Sequence, residues 1–234
     1  MRRLSLNGYI DDELWLGDEI TPGLLHAALY GEDDQSADDV QILLNSYGGS
    51  CGAAVRMYDD VCAYPGNVTM IISGTAASAA TVLAMAADEL EMTPGSLYMI
   101  HDPSVVAWGN ERDLRDAINL LMACKDSILN VYTRRCMLPR SELARMMTDT
   151  TWMDAQAALK HGFIDRITVP EKGIQNAIPK EITREEAEAR VKAYFDRHRQ
   201  RPIERNEHHH EPAPEPQRSG VSYAQLMKRL ELIK

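Results

Sequence analysis

The sequence predicts an α/β fold built on a mostly parallel sheet covered by helices, on three observations. Apolar runs of strand length recur at 40–46 (VQILLNS), 67–73 (NVTMIIS) and 96–101 (SLYMIH). The first two run into helical patterns, CGAAVRMYDDVCAY and SAATVLAMAADEL, giving a β-α-β-α-β rhythm that calls for parallel strands joined by crossovers. The 234 residues suffice for one well-buried domain with residues left over for an appendage.

In chain order, GYIDDELWLG, at 8–17, reads as one or two edge strands before the first apolar run. After the third run, ERDLRDAINLLMACKDSILNVYTRRC, at 111–136, reads as one long helix with Leu114, Ile118, Leu121, Met122, Ile128, Val131 and Tyr132 at helical spacing. It either packs on the core or projects to meet another subunit. LPRSELARMM starts a further helix with Ser141 as N-cap, and DAQAALKHG another, capped by Asp154 and stopped by Gly162.

Beyond about Val169 the composition changes. A charged helix (169–200) is expected to lead into a polar, Pro- and His-rich linker (201–220) and an amphipathic terminal helix (221–234), the last with Tyr223, Leu226, Met227, Leu230 and Ile233 on one stripe. His208, His209 and His210 sit in that acidic, Pro-rich linker and read as solvated, so no metal site is expected.

Charge is uneven along the chain. Residues 1–165 carry 11 Lys/Arg against 24 Asp/Glu, an acidic body that argues against nucleic acid as a partner. Cys51, Cys62, Cys124 and Cys136 form no C-x-x-C pair, and no charged start precedes an apolar signal segment, so reduced thiols in a cytoplasmic compartment are expected. No run approaches the roughly 18 apolar residues needed to cross a bilayer, so no membrane partner is expected.

Functional groups in parallel α/β proteins gather beyond the carboxyl ends of the strands. Here those ends read NSYGGS, GTAASA and IHDP: a Gly-Gly backbone, a serine (Ser78) at a strand-to-helix turn, and a histidine (His101). Acyl transfer needs such a set, namely a nucleophile, a base for its proton, and backbone N–H groups for the developing oxyanion. The turn is not the G-x-S-x-G elbow, because Ala76 and Ala80 occupy the glycine positions. Singly, each signal is more often a cap, a turn or a structural histidine; their conjunction carries the reading.

Four ordered segments resemble the ClpP serine peptidases: NSYGGSCGAAVRMYDDV, GTAASAATVLAMAA, LYMIHDP and TWMDAQAALKHGFID, over about residues 5–168. The resemblance implies a peptidase domain at 1–168 with the ClpP/crotonase-like fold, a parallel β-sheet spiral with covering helices and a projecting long helix that interdigitates between facing rings, followed by the helical and flexible tail. It implies Ser78 as nucleophile, His101 as general base, and the backbone N–H groups of Gly49 and Ala79 as oxyanion hole, with no cofactor. It implies a homo-oligomeric ring, heptameric or of stacked heptamers, acting on protein or peptide substrates.

The sequence departs from the family's pattern in three places. The position of the family's aspartate, counted back from Gly162, falls on Thr150, with Asp149 beside it. Either Asp149 enters after a one-residue shift or the enzyme works as a Ser-His dyad; Asp102 is a poor substitute because neighbouring strand residues point to opposite faces. Tyr47 stands where the family usually has proline, which predicts a less rigid Gly-Gly turn. MRRLSLNGYI enters the fold at once, without the longer gating loops, which implies action without an ATPase.

That start, the TW pair at 151–152 and the tail are similar to ClpP-related peptidases of bacteriophage head genes, which implies capsid or scaffold proteins as partners and substrates. The tail would anchor the peptidase to the assembling shell. Two rivals stand: a catalytically impaired ClpP-like scaffold or assembly protein, and a crotonase-like acyl-CoA enzyme. The second would not require a serine and a histidine at these strand ends. Cys51, close after the Gly-Gly turn, has no base at a suitable spacing and reads as a buried thiol.

Overall fold

The computed structural model describes residues 1–14, 17–31 and 36–169, together with Ala189 and Lys192. The expected charged extension, linker and terminal helix therefore lie outside the described residues, apart from those last two and Val169.

The three apolar runs are strands: β2 (Val40–Ser46), β3 (Val68–Ala77) and β5 (Leu97–Ile100). Their inward faces are sealed, with Ile42, Leu44, Val68, Met70, Ile72, Tyr98 and Ile100 all fully or almost fully buried; on the opposite face Leu43 and Ile71 are buried too, whereas Leu97 of β5 is exposed. β1 (Arg2–Asn7) pairs in parallel with β2, β2 with β3, and the first half of β3 with β4 (Glu89–Met92). β7 (Arg166–Ile167) adds to β4, and β6 (Thr151–Asp154) pairs antiparallel with β5. The helices are α1 (Pro22–Tyr30), α2 (Cys51–Ala63), α3 (Ala79–Ala84), α4 (Glu111–Tyr132), α5 (Arg140–Thr148) and α6 (Ala155–Lys160).

β3 changes partners along its length, and this sets up the site. Thr69–Ile72 pair with β4, whereas Thr75–Ala77 pair with β5. The switch occurs at Gly74, whose φ of 118° is open to glycine, and where an added Cβ would stand 2.5 Å from Asn45 Oδ1. Two side chains lock the kink: Thr75 N–H donates to Asn45 Oδ1 at 2.9 Å, and Gly74 N–H to Ser96 Oγ at 3.0 Å. Ser96 Oγ in turn donates to Ile72 O at 2.8 Å. The end of β3 is thus aimed alongside the end of β5.

Several local expectations are corrected. The helix after Ser78 ends at Ala84, not in the stretch up to Leu90, because Asp88 turns back to the start of β3: Asp88 N–H donates to Val68 O and Val68 N–H to Asp88 Oδ2. That release lets Glu89–Met92 become β4. The edge strand precedes GYIDDELWLG: β1 ends at Asn7, and within the segment Ile10 makes single bridges to Ile20 and Gly49. α5 begins one residue before Ser141, with Pro139 at the N-cap and its carbonyl receiving Glu142 and Leu143 N–H. Asp154 caps α6 as expected, accepting from Ala157 N–H.

α4 buries little. Of its apolar stripe Ile128 and Tyr132 are sealed, as is Leu129 off that stripe, while Ile118 and Met122, and Leu120 off it, are each more than half exposed. The capping box of Asn110 and Asp113 starts it sharply, so its first turns are held by their own cap rather than by the core. Among the described residues no helix is long and apolar enough to cross a membrane.

Candidate active site

Because β3 and β5 run parallel with Ala77 opposite Met99, the residues just past their ends fall side by side. Ser78 N–H extends that ladder by donating to Met99 O at 2.9 Å. His101, two residues beyond Met99, then reaches across, and its Nε2 lies 2.6 Å from Ser78 Oγ. That is hydrogen-bond distance for an O–H donor.

Ser78 does not act as a helix cap. Its side chain makes no capping hydrogen bond, and its backbone has φ 57° and ψ −127°. Only Ser78 and Thr150 among the described non-glycine residues have positive φ. Such a conformation costs a side-chain-bearing residue roughly 1–3 kcal/mol and persists where surrounding structure imposes it. Thr81 helps impose it: its N–H and Oγ1 both donate to Ser78 O, at 3.0 and 2.5 Å. Thr81 Oγ1 also meets Tyr132 Oη at 2.6 Å, so α4 braces the turn from below. Burial pushes the phenols of Tyr132 and Tyr98 above their usual range, so both remain protonated donors.

The Gly-Gly turn presses on the serine turn. A Cβ on Gly48 (φ 91°) would lie 2.5 Å from Ala77 O, 2.8 Å from Ala79 N and 2.8 Å from Ser78 Cβ, so the approach is open only to glycine. The turn is less loose than Tyr47 in place of proline predicts. Gly48 N–H donates to Ser46 Oγ at 3.1 Å, Ile10 N–H to Gly48 O at 2.9 Å, and Ser50 N–H to Ile10 O at 2.8 Å, while the Tyr47 side chain projects outward. The N–H groups of Gly49 and Ala79 donate to no described protein acceptor. Both are therefore free to bind an oxygen from outside the chain.

The acidic residues stand elsewhere. Asp149 is the C-cap of α5, and its carboxylate accepts from Arg145 at 3.1 Å. Thr150 follows in the left-handed region with φ 51°. Asp102 is held by Lys125 and Thr148, which agrees with its pointing away from the histidine. Among the described residues the one hydrogen-bond partner of His101 is Ser78. The structure thus brings Ser78, His101 and the Gly48–Gly49 turn together and leaves Asp149 and Thr150 apart from His101's hydrogen bonding. Burial, reinforced by neighbouring Cys124, raises the Cys51 thiol above its usual range, which disfavours a thiolate. No group of three or more His, Cys, Asp or Glu poised for a metal ion occurs among the described residues.

Sequence reasoning missed the Thr81 and Tyr132 brace, the contact of Gly48 with Ser78, and the engagement of Asp102. Gly48 carried a signal, as the first glycine of a pair after a strand. Thr81 and Lys125 carried none, being an ordinary helical threonine and lysine.

The sequence model described as Clp protease matches residues 5–171. A relative named ATP-dependent Clp protease proteolytic subunit, from Deinococcus radiodurans, is 31% identical over 138 residues, 58% of this chain and 68% of that protein. A protein of the same name from Porphyromonas gingivalis is 30% identical over 164 residues, 68% of this chain and 74% of that protein. Among solved structures, a ClpP1 mutant from Listeria monocytogenes superposes with a TM-score of 0.64 at 19% identity, covering 74% of this chain and 95% of that one. This last likeness bears on the fold alone, and it agrees with the expected ClpP-like architecture.

Proposed function

The chain belongs to the Clp protease family, whose members are serine-type peptidases, and on that premise we propose that it hydrolyses peptide bonds through an acyl-enzyme on Ser78. The observation that carries the proposal is the 2.6 Å contact of Ser78 Oγ with His101 Nε2 at a strained strand-to-helix turn. With the imidazole proton on Nδ1, Nε2 accepts the Ser78 proton as Oγ attacks the scissile carbonyl carbon. The carbonyl oxygen, now an oxyanion, takes the N–H groups of Gly49 and Ala79. His101 returns the proton to the leaving amine, then activates a water that releases the acid product and restores Ser78.

Ser78 and His101 act as a dyad, since Asp149 is bound to Arg145. The chemistry consumes water and no nucleotide, so it proceeds without ATP; the relatives' names attach ATP dependence to those proteins. The peptidase domain is residues 1–168. The exposed apolar residues of α4 support assembly into a ring, a heptamer or stacked heptamers, because such a face on one helix needs a partner surface. The TW pair and the charged chain beyond 169 support capsid or scaffold proteins of a bacteriophage head as substrates, met in the host cytoplasm. The four free cysteines fit that compartment.

Intact-mass measurement after a fluorophosphonate probe tests the chemistry. One adduct at Ser78, lost in Ser78→Ala and strongly slowed in His101→Ala, is expected with no ATP present. No adduct on a ring of confirmed size overturns the peptidase reading in favour of the scaffold reading, which Thr150 at the aligned acid position favours. Incubation with capsid and scaffold precursors tests the substrate class by the appearance of defined cleavage products.

A further inference from the structure

The residue after His101 is held far more tightly than a solvent-facing aspartate needs to be. Asp102 N–H donates to Met147 O at 3.1 Å, near the end of α5. Its Oδ2 accepts from Thr148 Oγ1 at 3.0 Å, and its Oδ1 pairs with Lys125 Nζ of α4 at 2.6 Å. Lys125 Nζ also donates to Thr148 Oγ1 at 2.9 Å, closing a triangle across three elements. Oδ1 is sealed from water and finds no hydrogen bond of good geometry, so the lysine is its counter-charge. Such a contact has more effect than an ion pair open on all sides.

This triangle stands beside a histidine whose ring carries no acidic partner among the described residues. In the Ser-His-Asp template the acid fixes the tautomer and the orientation of the imidazole. Here Asp149 is engaged elsewhere, yet Nε2 still sits within hydrogen-bond reach of Ser78 Oγ. Orientation must come from the backbone that carries the ring, and the neighbouring residue is pinned at its N–H and at both carboxylate oxygens.

We infer that Asp102, clamped by Lys125 and Thr148, is a positioning residue that holds His101 toward Ser78 in place of an acid on the ring. The inference rests on the peptidase reading above. Loss of the clamp lets the β5 end drift, and displacement of a reacting group by about 1 Å costs on the order of 10² in rate. The clamp bears on the chemistry only through the placement of the His101 ring, so the effect requires an intact imidazole.

The test is a double-variant cycle on the full chain, read as the rate of fluorophosphonate adduct formation at Ser78. Lys125→Met and the near-isosteric Asp102→Asn are each measured in the wild-type and His101→Ala backgrounds. The expected result is a fall of about 10- to 100-fold in the wild-type background and a change of under about twofold in His101→Ala. Lys125→Arg, which keeps the charge, is expected to recover most of the rate. Peptide hydrolysis is expected to lose kcat with KM little changed. An equal factor in both backgrounds, or no fall in either, overturns the clamp while leaving the nucleophile in place. No adduct on the wild-type protein overturns the peptidase reading and the clamp with it. Should Lys125→Met not fold, Asp102→Asn decides by the same criterion.

Discussion

Substitution of Gly48 by alanine tests how closely the site is built. The new Cβ would meet Ala77 O, Ala79 N and Ser78 Cβ, so no flexible side-chain end can swing away. The nearest contact must open by roughly 0.9 Å, from 2.5 Å to the 3.4 Å where ordinary contact begins. The φ of 91° adds about 1–2 kcal/mol for a residue with a Cβ. With overpacking, Gly48→Ala should lower stability by about 2–4 kcal/mol. Because the displaced atoms are those of the serine turn, Ser78 Oγ moves relative to both His101 and the free N–H of Ala79. A shift approaching 1 Å is expected to slow fluorophosphonate labelling on the order of 10²-fold, equivalent to about 3 kcal/mol of barrier. Labelling rate and melting are read from the same sample, with Gly23→Ala as control, since an added Cβ there meets nothing within 4 Å. A folded Gly48→Ala protein labelled within twofold of wild type would refute the close packing of the two turns as a determinant of activity.

Four further outcomes are expected. Ser78→Gly should melt above Ser78→Ala, by about 1 kcal/mol, because glycine adopts the φ of 57° without the strain that alanine keeps; equal melting would show that the turn is not strained. Asp149→Asn should label at close to the wild-type rate, whereas a drop near 10⁴-fold would identify Asp149 as a third member that reaches His101 after a shift. Burial raises Cys136 from its ordinary 9.0 to about 12, so the folded thiol stays neutral where the unfolded one ionises. The unfolded state therefore holds fewer protons above about pH 9, and this group's contribution to stability should fall as pH rises from there toward 12. Exposed Cys62 should alkylate first at pH 8, checked by peptide mass mapping; Cys136 reacting as fast would contradict its burial.

What could be read from the chain was whatever local pattern alone dictates. VQILLNS and SLYMIH each hold four apolar residues in a stretch of strand length followed by a turn or polar segment, and both became strands at almost those limits. Ser78 and His101 were legible because polar, chemically competent residues stood where such strands end. β4 was not legible: ELEM has glutamates at alternate positions and follows a good helical sequence without a break. It is a strand because Asp88 bonds back to Val68, twenty positions earlier. β1 escaped for a similar reason, since RRLSLN gains its strand pairing from β2, more than thirty residues away.

By itself the sequence determined the alternation of strands and helices, the order of the Gly-Gly turn, serine and histidine, and the family that order indicates. Only the tertiary structure decided the geometry among them. The kink at Gly74 sends the end of β3 to β5, Gly48 closes on the serine turn, and Thr81 and Tyr132 hold Ser78 in a backbone conformation that its own preferences oppose. It also decided that Asp102 belongs to Lys125. The physical reason is range. Hydrophobic period and turn chemistry act over a few residues and leave their mark in a single stretch of sequence. Arg145 and Asp149 stand four apart on one helix, so their pairing is within local reach, whereas Asp102 meets Lys125 only because folding delivers that distant side chain, a choice no local pattern records.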